Sequence, residues 1–381
     1  MGHYGLYLRE SNTINLAMKI FCCDNCGQLV YFENTYCNKC KSPLGYCPDT
    51  GKHCSFEIGA NGIWTSIGPT TKGRQYKQCK NYTEHSACNW MVPIESKHQR
   101  CISCNLNWVL PELDLGENKQ YWRKIERAKR RLVFSILRMK LPLKNKKEDK
   151  HNGLSFKFLE GPGLNSREHK PVSIGHNRGV ITLNIAEAND SIRMKIRDEM
   201  KERYRTLLGH FRHEVGHYYW MVLVENSHWL EPCRKIFGDE REDYNKSLQL
   251  YYEQKTKSEE DVDDVNYITS YASSHPWEDW AETWAHYMHI YDTLETASSW
   301  GLRFSFHSVR YSNRDHIITG SDSSFDKMID NWNWASCALN SLNRSMGFSD
   351  PYPFMITQPV KDKLHFIHSV IHENPAEEFV L

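Results

Sequence analysis

Three Cys-x-x-Cys pairs near the start of the chain constrain its fold more than any other feature of the sequence. The chain has 13 cysteines, and 11 of them precede residue 105. The pairs are Cys23/Cys26, Cys37/Cys40 and Cys101/Cys104. At this cysteine frequency, chance would give about 0.44 such pairs in the whole chain. Because a tight turn can present two thiolates to one tetrahedral zinc ion, the sequence predicts zinc ribbons over residues 19–113.

The first predicted zinc site combines the two N-terminal pairs. Its ligands are Cys23, Cys26, Cys37 and Cys40. A β-forming run over residues 28–32 separates the pairs, as in a zinc ribbon. Cys22 could replace Cys23 as a ligand, but the spacing between Cys22 and Cys26 fits a zinc-binding turn less well.

The second predicted zinc site uses the third pair and its nearest partners. Its ligands are Cys79, Cys88, Cys101 and Cys104. Cys47, Cys54 and His53 compete for the same role. We rank them lower because Cys47 and Cys54 flank a Pro-Asp-Thr-Gly segment that is typical of a surface loop.

The overall composition is that of a globular protein with two or three domains. Lys and Arg total 48 against 47 Asp and Glu, so the net charge of +1 gives no overall attraction to nucleic acid or to an acidic membrane. Hydrophobic residues make up 40% and charged residues 25%, which excludes a largely disordered chain and a coiled coil. No segment has the roughly 18 apolar residues that a membrane-spanning helix needs, so we expect no membrane association.

The N-terminal segment lacks the features of a secretory signal. Its first 21 residues include charged side chains and no continuous apolar stretch. We therefore expect a cytoplasmic protein whose thiols stay reduced, which favours zinc sites over disulfides. Residues 1–18 are expected to form a disordered extension.

Residues 114–150 are predicted to form a basic amphipathic helix and a linker. The segment 119–150 has 13 Lys and Arg against three acidic residues, with Trp122, Ile125 and Leu132 at helical spacing. Nucleic-acid binding is one interpretation of this helix. Packing of its apolar stripe on the next domain is favoured, because the stripe is large and the whole chain is neutral.

The sequence His-Glu-Val-Gly-His at residues 213–217 is the main candidate for catalytic chemistry, since chance would give only about 0.07 such motifs. We predict one helix from about residue 190 to 224. On it, His213 and His217 lie one turn apart on the same face, so both can bind one zinc ion while Glu214 reaches a water molecule. His210, one turn earlier, is interpreted as a histidine that packs or supports a ligand.

A catalytic zinc ion needs a third protein ligand, and the segment 275–287 supplies the candidates. Pro276 suits the first turn of a helix whose Trp and Ala residues form a packing face. Glu278 and Glu282 are four residues apart and can point the same way. We expect Glu278 to bind zinc and Glu282 to orient a histidine ligand, with Glu282 or Asp279 as alternative ligands.

The His-Glu-x-x-His motif with a downstream Glu-x-x-Ala-Glu helix resembles the gluzincin branch of the zincin metallopeptidases. In that branch the first Glu of the second motif is the third zinc ligand. More closely, the chain resembles a bacterial family of zinc-binding metallopeptidases with an N-terminal zinc ribbon. The matching segments are FRHEVGHYYW at 211–220, YASSHPWEDWAETWAHYMHI at 271–290 and DPYPF at 350–354, together with the Cys-rich start. The resemblance implies a zinc peptidase fold and activity.

We therefore predict an α+β protein in which β-rich zinc ribbons precede a mainly helical zincin-like metallopeptidase domain over residues 151–381. The charged segment 239–266 is interpreted as a solvated helix and loop. The predicted activity is hydrolysis of a peptide or protein substrate by a zinc-activated water, with Glu214 as general base. This requires one catalytic Zn²⁺ in addition to one or two structural ions. The alternative is a zinc-ribbon protein that binds nucleic acid or a protein partner and has an inactive peptidase-like domain.

Overall fold

The first third of the chain is strand-rich and the remainder is mainly helical, which confirms the α+β class. The structure is a computed structural model that describes residues 20–160, 175–199, 203–257, 264–305, 315–320 and 324–375. The extension expected over residues 1–18 lies outside these ranges. Within them, no helix is long and apolar enough to cross a membrane.

Short antiparallel strands build the ribbon region. β1 (Phe21–Cys22) and β2 (Leu29–Val30) form a small hairpin. Two one-turn helices, α1 (Lys80–Thr83) and α2 (Ile102–Asn105), carry cysteines at their N-terminal ends. Five further strands pair in chain order as an antiparallel meander: β3 (Leu44–Cys47), β4 (Lys52–Ile58), β5 (Trp64–Ser66), β6 (Gln75–Gln78) and β7 (Met91–Pro93).

The structure brings each predicted set of four cysteines together. In the first set, the Sγ atoms of Cys23 and Cys40 are 3.6 Å apart, as are those of Cys26 and Cys37. The second set is Cys79, Cys88, Cys101 and Cys104. In both sets the four Sγ atoms lie within 4.8 Å of one another, and all of these thiols are free. Such clusters match the four-thiolate coordination of structural zinc.

Cys47, Cys54 and His53 join neither cluster; residues 48–51 form a turn as expected, but the three side chains themselves lie in the flanking strands and not in a surface loop. Cys47 ends β3 and Cys54 lies within β4, and both side chains are fully buried. The ring of His53 is also buried, with Nε2 at 2.7 Å from the Phe32 carbonyl oxygen. The turn between them is short, so the strands on either side direct the flanking side chains into the core.

Helix α3 (Asn118–Arg138) packs between the ribbons and the helical domain. Its apolar stripe is buried, as the favoured interpretation of the sequence expects. The residues of this stripe are Trp122, Ile125, Leu132, Val133 and Ile136. They share one hydrophobic core with Trp90 of the ribbons and with Phe211 of the helical domain. The two regions therefore fold around a common helix.

Several basic side chains of α3 contact other parts of the same chain. Two of these contacts reach the ribbons and one reaches the helical domain. They are Arg123 to the His85 carbonyl at 2.7 Å, Arg131 to Glu33 at 2.7 Å and Lys124 to the Ala188 carbonyl at 3.2 Å. The basic character of this helix thus contributes to holding the two regions together.

A four-stranded sheet lies beside the helices in the order β10-β11-β9-β8. Its strands are β8 (Asn107–Val109), β9 (Ser155–Leu159), β10 (Gly175–Asn177) and β11 (Val180–Asn184). β9 is parallel to β8 and β11, whereas β10 runs antiparallel to β11. A separate antiparallel pair consists of β12 (Arg303–Ser305) and β13 (Asp315–Ile317).

Seven further helices complete the described part of the domain. They are α4 (Asp190–Glu199), α5 (Leu207–Tyr219), α6 (Leu230–Phe237), α7 (Tyr244–Lys257), α8 (Pro276–Ser299), α9 (Phe325–Ser345) and α10 (Gln358–Glu373). Short 3₁₀ segments lie at Ile185–Ala188 and Tyr271–Ser274, and a π-helical segment lies at Trp220–Val224.

The prediction of one continuous helix from about residue 190 to 224 is wrong, because the structure has two helices, α4 and α5, in this segment. α4 ends before α5 begins, and Thr206 starts the second helix as its N-cap. The Thr206 hydroxyl accepts a hydrogen bond of 2.9 Å from the Gly209 N–H, which satisfies a backbone donor of the first turn. The hydrophobic period continues across the break, so the sequence pattern alone does not reveal it.

Loss of the second cysteine cluster should destabilise the protein more than loss of the first. Cys101→Ser is expected to remove one zinc ion and much of the about 10–16 kcal/mol that a structural zinc contributes. The second cluster lies under α3, with Cys104 Sγ at 3.8 Å from Glu126, whereas Cys40 of the first is partly exposed. Zinc content by mass spectrometry and thermal unfolding measure both effects.

Cys40→Ser is the comparison for this test, and Cys337→Ser, at an exposed position on α9, is the control. The control should keep its full zinc content. Equal losses of thermal stability in Cys101→Ser and Cys40→Ser would contradict the expected ranking.

Candidate metal centre

Helices α5 and α8 build the site, and Gly216 allows their close approach. A Cβ atom at Gly216 would lie 3.0 Å from the Ala281 Cα and 3.1 Å from the Trp284 Cβ. Across the same contact, Trp280 Nε1 donates a hydrogen bond of 2.9 Å to the Gly216 carbonyl oxygen. This contact aligns the histidines of α5 with the first turn of α8.

His213, His217 and Glu278 converge where the two helices meet. One possible ligand atom from each lies within 4.8 Å of the others. The two Nε2 atoms are 3.2 Å apart, and Glu278 Oε2 lies 3.0 Å from His213 Nε2. The other oxygen, Oε1, lies 3.6 Å from His217 Nε2. Two imidazole nitrogens and a carboxylate oxygen form a ligand set that zinc accepts.

The orientation of these groups also fits an ion between them. Glu278 Oε2 is buried and has no hydrogen-bond partner among the described residues, although His213 Nε2 lies close to it. A cation placed among the three groups would compensate the buried carboxylate and occupy both imidazole lone pairs.

Glu282 lies behind the first histidine, where the sequence leads us to expect it. His213 Nδ1 and Glu282 Oε1 are 2.6 Å apart, and Glu282 Oε2 accepts a hydrogen bond of 2.8 Å from Thr269 Oγ1. A carboxylate can only accept this bond, so Nδ1 carries a proton, and Nε2 is the ring nitrogen that faces Glu278 and can bind a metal ion.

Asp279, an alternative ligand in the sequence interpretation, contacts a different helix. Its Oδ2 lies 2.6 Å from Lys363 Nζ on α10. Burial raises the pKa of Asp279 to about 7, and the nearby Lys363 opposes that rise. The structure therefore places Asp279 in the packing of α8 against α10, outside the group formed by the two histidines and Glu278.

Glu214 is buried next to the histidines with one carboxylate oxygen engaged. Its Oε1 lies 3.2 Å from His210 Nε2, whereas Oε2 has no hydrogen-bond partner among the described residues. Burial favours the neutral form, but His210, His213 and His217 outweigh it and lower the pKa of Glu214 to about 2. The side chain is therefore a carboxylate at neutral pH.

Three aromatic side chains that the sequence did not identify also contact the site. Tyr244 donates a hydrogen bond of 2.7 Å to Glu278 Oε1. The ring centroids of Trp277 and His176 lie 4.2 and 6.3 Å from the ring centroid of His217. Tyr244 belongs to the charged segment that we interpreted as solvated, so this interpretation is wrong at its position. Trp277 lies on α8 itself. The local sequence carries no signal for the contacts of Tyr244 and His176, because these depend on how α7 and β10 pack against the α5–α8 pair.

A cavity of about 430 Å³ borders His213 and Glu214. Its walls combine charged, polar and aromatic side chains. They include Glu187, Arg205, His210, Tyr271, His286 and Phe354. Burial lowers the pKa of His286 to about 4, so this histidine is neutral at pH 7. The cavity gives room for a ligand beside His213 and Glu214.

Substitution of Gly216 should disrupt the site through backbone packing. We expect Gly216→Ala to lower the free energy of unfolding by about 1–3 kcal/mol, because the new Cβ overlaps the backbone of α8. Zinc bound by the histidine site should decrease in parallel. Chemical denaturation and metal analysis test this.

Gly209→Ala, on the same helix, is the matched control. Its Cβ would lie 3.1 Å from the N-cap hydroxyl of Thr206 and from the Tyr204 ring, so it meets side chains rather than the backbone of α8. Similar destabilisation of the two variants would contradict the special role of Gly216.

Comparison with known proteins agrees with this geometry. A family model described as "Putative zinc-binding metallo-peptidase" matches residues 118–370, and one described as a zinc-ribbon domain matches residues 20–115. Uncharacterized proteins of Mycobacterium bovis and of two Mycobacterium tuberculosis strains are each 38% identical over 358 residues, covering 93% of this chain and 96% of theirs. No solved structure matches significantly. The resemblance inferred from the motifs is confirmed, and the chain belongs to this family of zinc-binding metallopeptidases with an N-terminal zinc-ribbon domain.

Proposed function

We propose that the protein is a zinc-dependent peptidase that uses Glu214 as its general base. The observation that carries this proposal is the convergence of His213, His217 and Glu278 next to a buried carboxylate with one unengaged oxygen. Each member of this set comes from one of the two helices that pack closely at Gly216. Family membership supports the same assignment.

His213, His217 and Glu278 would hold the metal ion. When bound, zinc supplies a Lewis acid that lowers the pKa of a water toward about 7 and polarises the scissile carbonyl. Glu214 would accept a proton from the attacking water at Oε2 and later deliver it to the leaving nitrogen. Glu282 would keep the ring of His213 in the required tautomer.

An extended peptide is the substrate class that the surroundings of Glu214 favour. β10 is the outermost described strand of its sheet, and a Cβ on its Gly175 would lie 3.9 Å from Glu214 Oε2. The outer edge of such a strand can pair with an extended chain through backbone hydrogen bonds. The adjoining cavity can take a side chain of the same substrate. We also propose a reducing compartment, the cytoplasm, because two free four-thiol clusters persist only where thiols stay reduced.

Glu214→Gln should abolish peptide hydrolysis while leaving zinc in place. The amide cannot accept the proton, so we expect kcat to fall by about 10²–10⁴-fold. Hydrolysis of a fluorogenic peptide library and zinc analysis of the same samples measure the two properties. His217→Ala is the comparison and should lose both the activity and one zinc ion.

The proposal would be contradicted if Glu214→Gln hydrolysed peptides at the wild-type rate. It would also be contradicted if the wild-type protein did so after a chelator had removed its zinc. The same holds if purified, zinc-loaded wild-type protein cleaves no member of a broad peptide library.

Three acidic residues in the N-terminal part of α8 should differ in how strongly their substitution lowers zinc affinity. Glu278→Gln is expected to lose the zinc ion of this site, because it replaces a proposed ligand with a neutral group. Glu282→Gln should weaken zinc binding by about 10–100-fold through the orientation of His213. Asp279→Asn should leave zinc affinity unchanged, because Asp279 contacts Lys363.

Competition with a fluorescent zinc chelator measures these affinities. Unaltered zinc binding in Glu278→Gln together with loss in Asp279→Asn would assign the third ligand to Asp279.

A further inference from the structure

His210 connects two buried carboxylates beside the metal centre. Its Nδ1 lies 2.9 Å from Glu187 Oε2, and its Nε2 lies 3.2 Å from Glu214 Oε1. Only 14% of the His210 side chain is exposed, and the two carboxylates are still more buried. All three side chains line the cavity next to the proposed zinc ligands. From the sequence alone, these hydrogen bonds of His210 could not be distinguished from simple packing of its ring.

The chemistry of the three groups determines how they share protons. Ionised carboxylates only accept hydrogen bonds, so each ring nitrogen of His210 must donate to its partner. The ring is then a cation between two anions. Two other titratable or charged side chains lie near these carboxylates. Arg205 lies 3.5 Å from Glu187, and His213 follows His210 on the same helix.

The acid–base balance of the site agrees with this arrangement. Burial alone would lower the pKa of His210, but Glu187 and Glu214 outweigh it and raise the value to about 9. The pKa of Glu187 is lowered, because the nearby His210 and Arg205 outweigh its burial.

The hydrogen bond from His210 Nε2 engages only one of the two carboxylate oxygens of Glu214. Oε1 is occupied by His210 Nε2, so the side chain cannot rotate freely about its last torsion. Oε2 is left buried and without a partner in the described part of the chain. A general base needs one oxygen held in place and the other available to the proton donor.

We propose that His210, itself anchored by Glu187, is the positioning residue that fixes the carboxylate of Glu214 so that Oε2 faces the reacting water. This inference rests on the proposed function for its catalytic consequence. Its structural content, a doubly donating His210 between Glu187 and Glu214, can be tested without an activity measurement.

Nitrogen-15 NMR of histidine-labelled, zinc-loaded protein tests the structural content. The His210 signals are those absent from the spectrum of His210→Gln. We expect both ring nitrogens to be protonated at pH 7 in the wild-type protein, and the ring to become neutral at lower pH in Glu187→Gln. A neutral His210 ring in the wild-type protein at pH 7 would overturn the inference, whatever the activity.

Steady-state kinetics test the catalytic consequence. His210→Phe keeps a ring of similar size but loses both donors, so kcat should fall by about 100-fold through misplacement of Glu214. KM and zinc content should stay within twofold of the wild-type values. His210→Gln retains one donor that can reach Glu214 and should recover part of the lost kcat.

His368→Phe is the control for loss of a partly buried histidine in the same domain. His368 bonds to the Tyr287 hydroxyl at 2.9 Å on the α10 side of α8, away from the cavity. This variant should keep the wild-type kcat. If Glu214→Gln is inactive but His210→Phe retains the wild-type kcat, the positioning role is wrong and the proposed function stands. If the wild-type protein shows no zinc-dependent hydrolysis, the proposed function fails and the NMR result alone decides the hydrogen-bonding role.

Discussion

The close contact between α5 and α8 is the constraint on which the candidate site depends. At Gly216 the two backbones approach within the distance that a single Cβ would fill, and Trp280 adds a hydrogen bond across the contact. A helix pair that is this close has little freedom to slide or rotate. The two histidines of α5 and Glu278 of α8 therefore meet at fixed positions, although 61 residues separate His217 from Glu278 in the chain.

A second constraint comes from α3, which the ribbons and the helical domain share. Its apolar stripe completes the common core, and its basic side chains reach both sides. Towards the site, Ser135 of α3 donates a hydrogen bond of 2.6 Å to Asp292 of α8, which also pairs with Arg212 next to the first histidine. The ribbons are thus linked to the helix pair by buried contacts. Buried polar groups of this kind are stable only when all partners are present.

Around the site, carboxylates determine what each histidine can do. Glu282 holds His213 through Nδ1, so its Nε2 lone pair is available for a metal ion. Glu187 and Glu214 bind both nitrogens of His210, which leaves that ring without a free lone pair. Two histidines on one helix, one turn apart, therefore receive opposite roles from their neighbours. Helical spacing makes both available, and the neighbouring carboxylates, Glu214 on α5 and Glu187 and Glu282 from other segments, assign their roles.

The features of this protein that depend on short-range spacing could be predicted from the amino-acid sequence. The Cys-x-x-Cys turns, the histidines one turn apart and the Glu278/Glu282 pair each place two ligands within one local element, so their grouping follows from backbone geometry. The α+β order of the chain followed in the same way from the change in composition after the ribbons.

Contacts between groups that are distant in the chain follow from the packing of the folded protein. The break before Thr206, the burial of Cys47 and Cys54, and the contact of Tyr244 with Glu278 carry no periodic signal, because each results from packing between separate elements. The role of His210 belongs to the same class. Its carboxylate partner Glu187 lies 23 residues away on a 3₁₀ turn, and the fold alone brings that group beside α5.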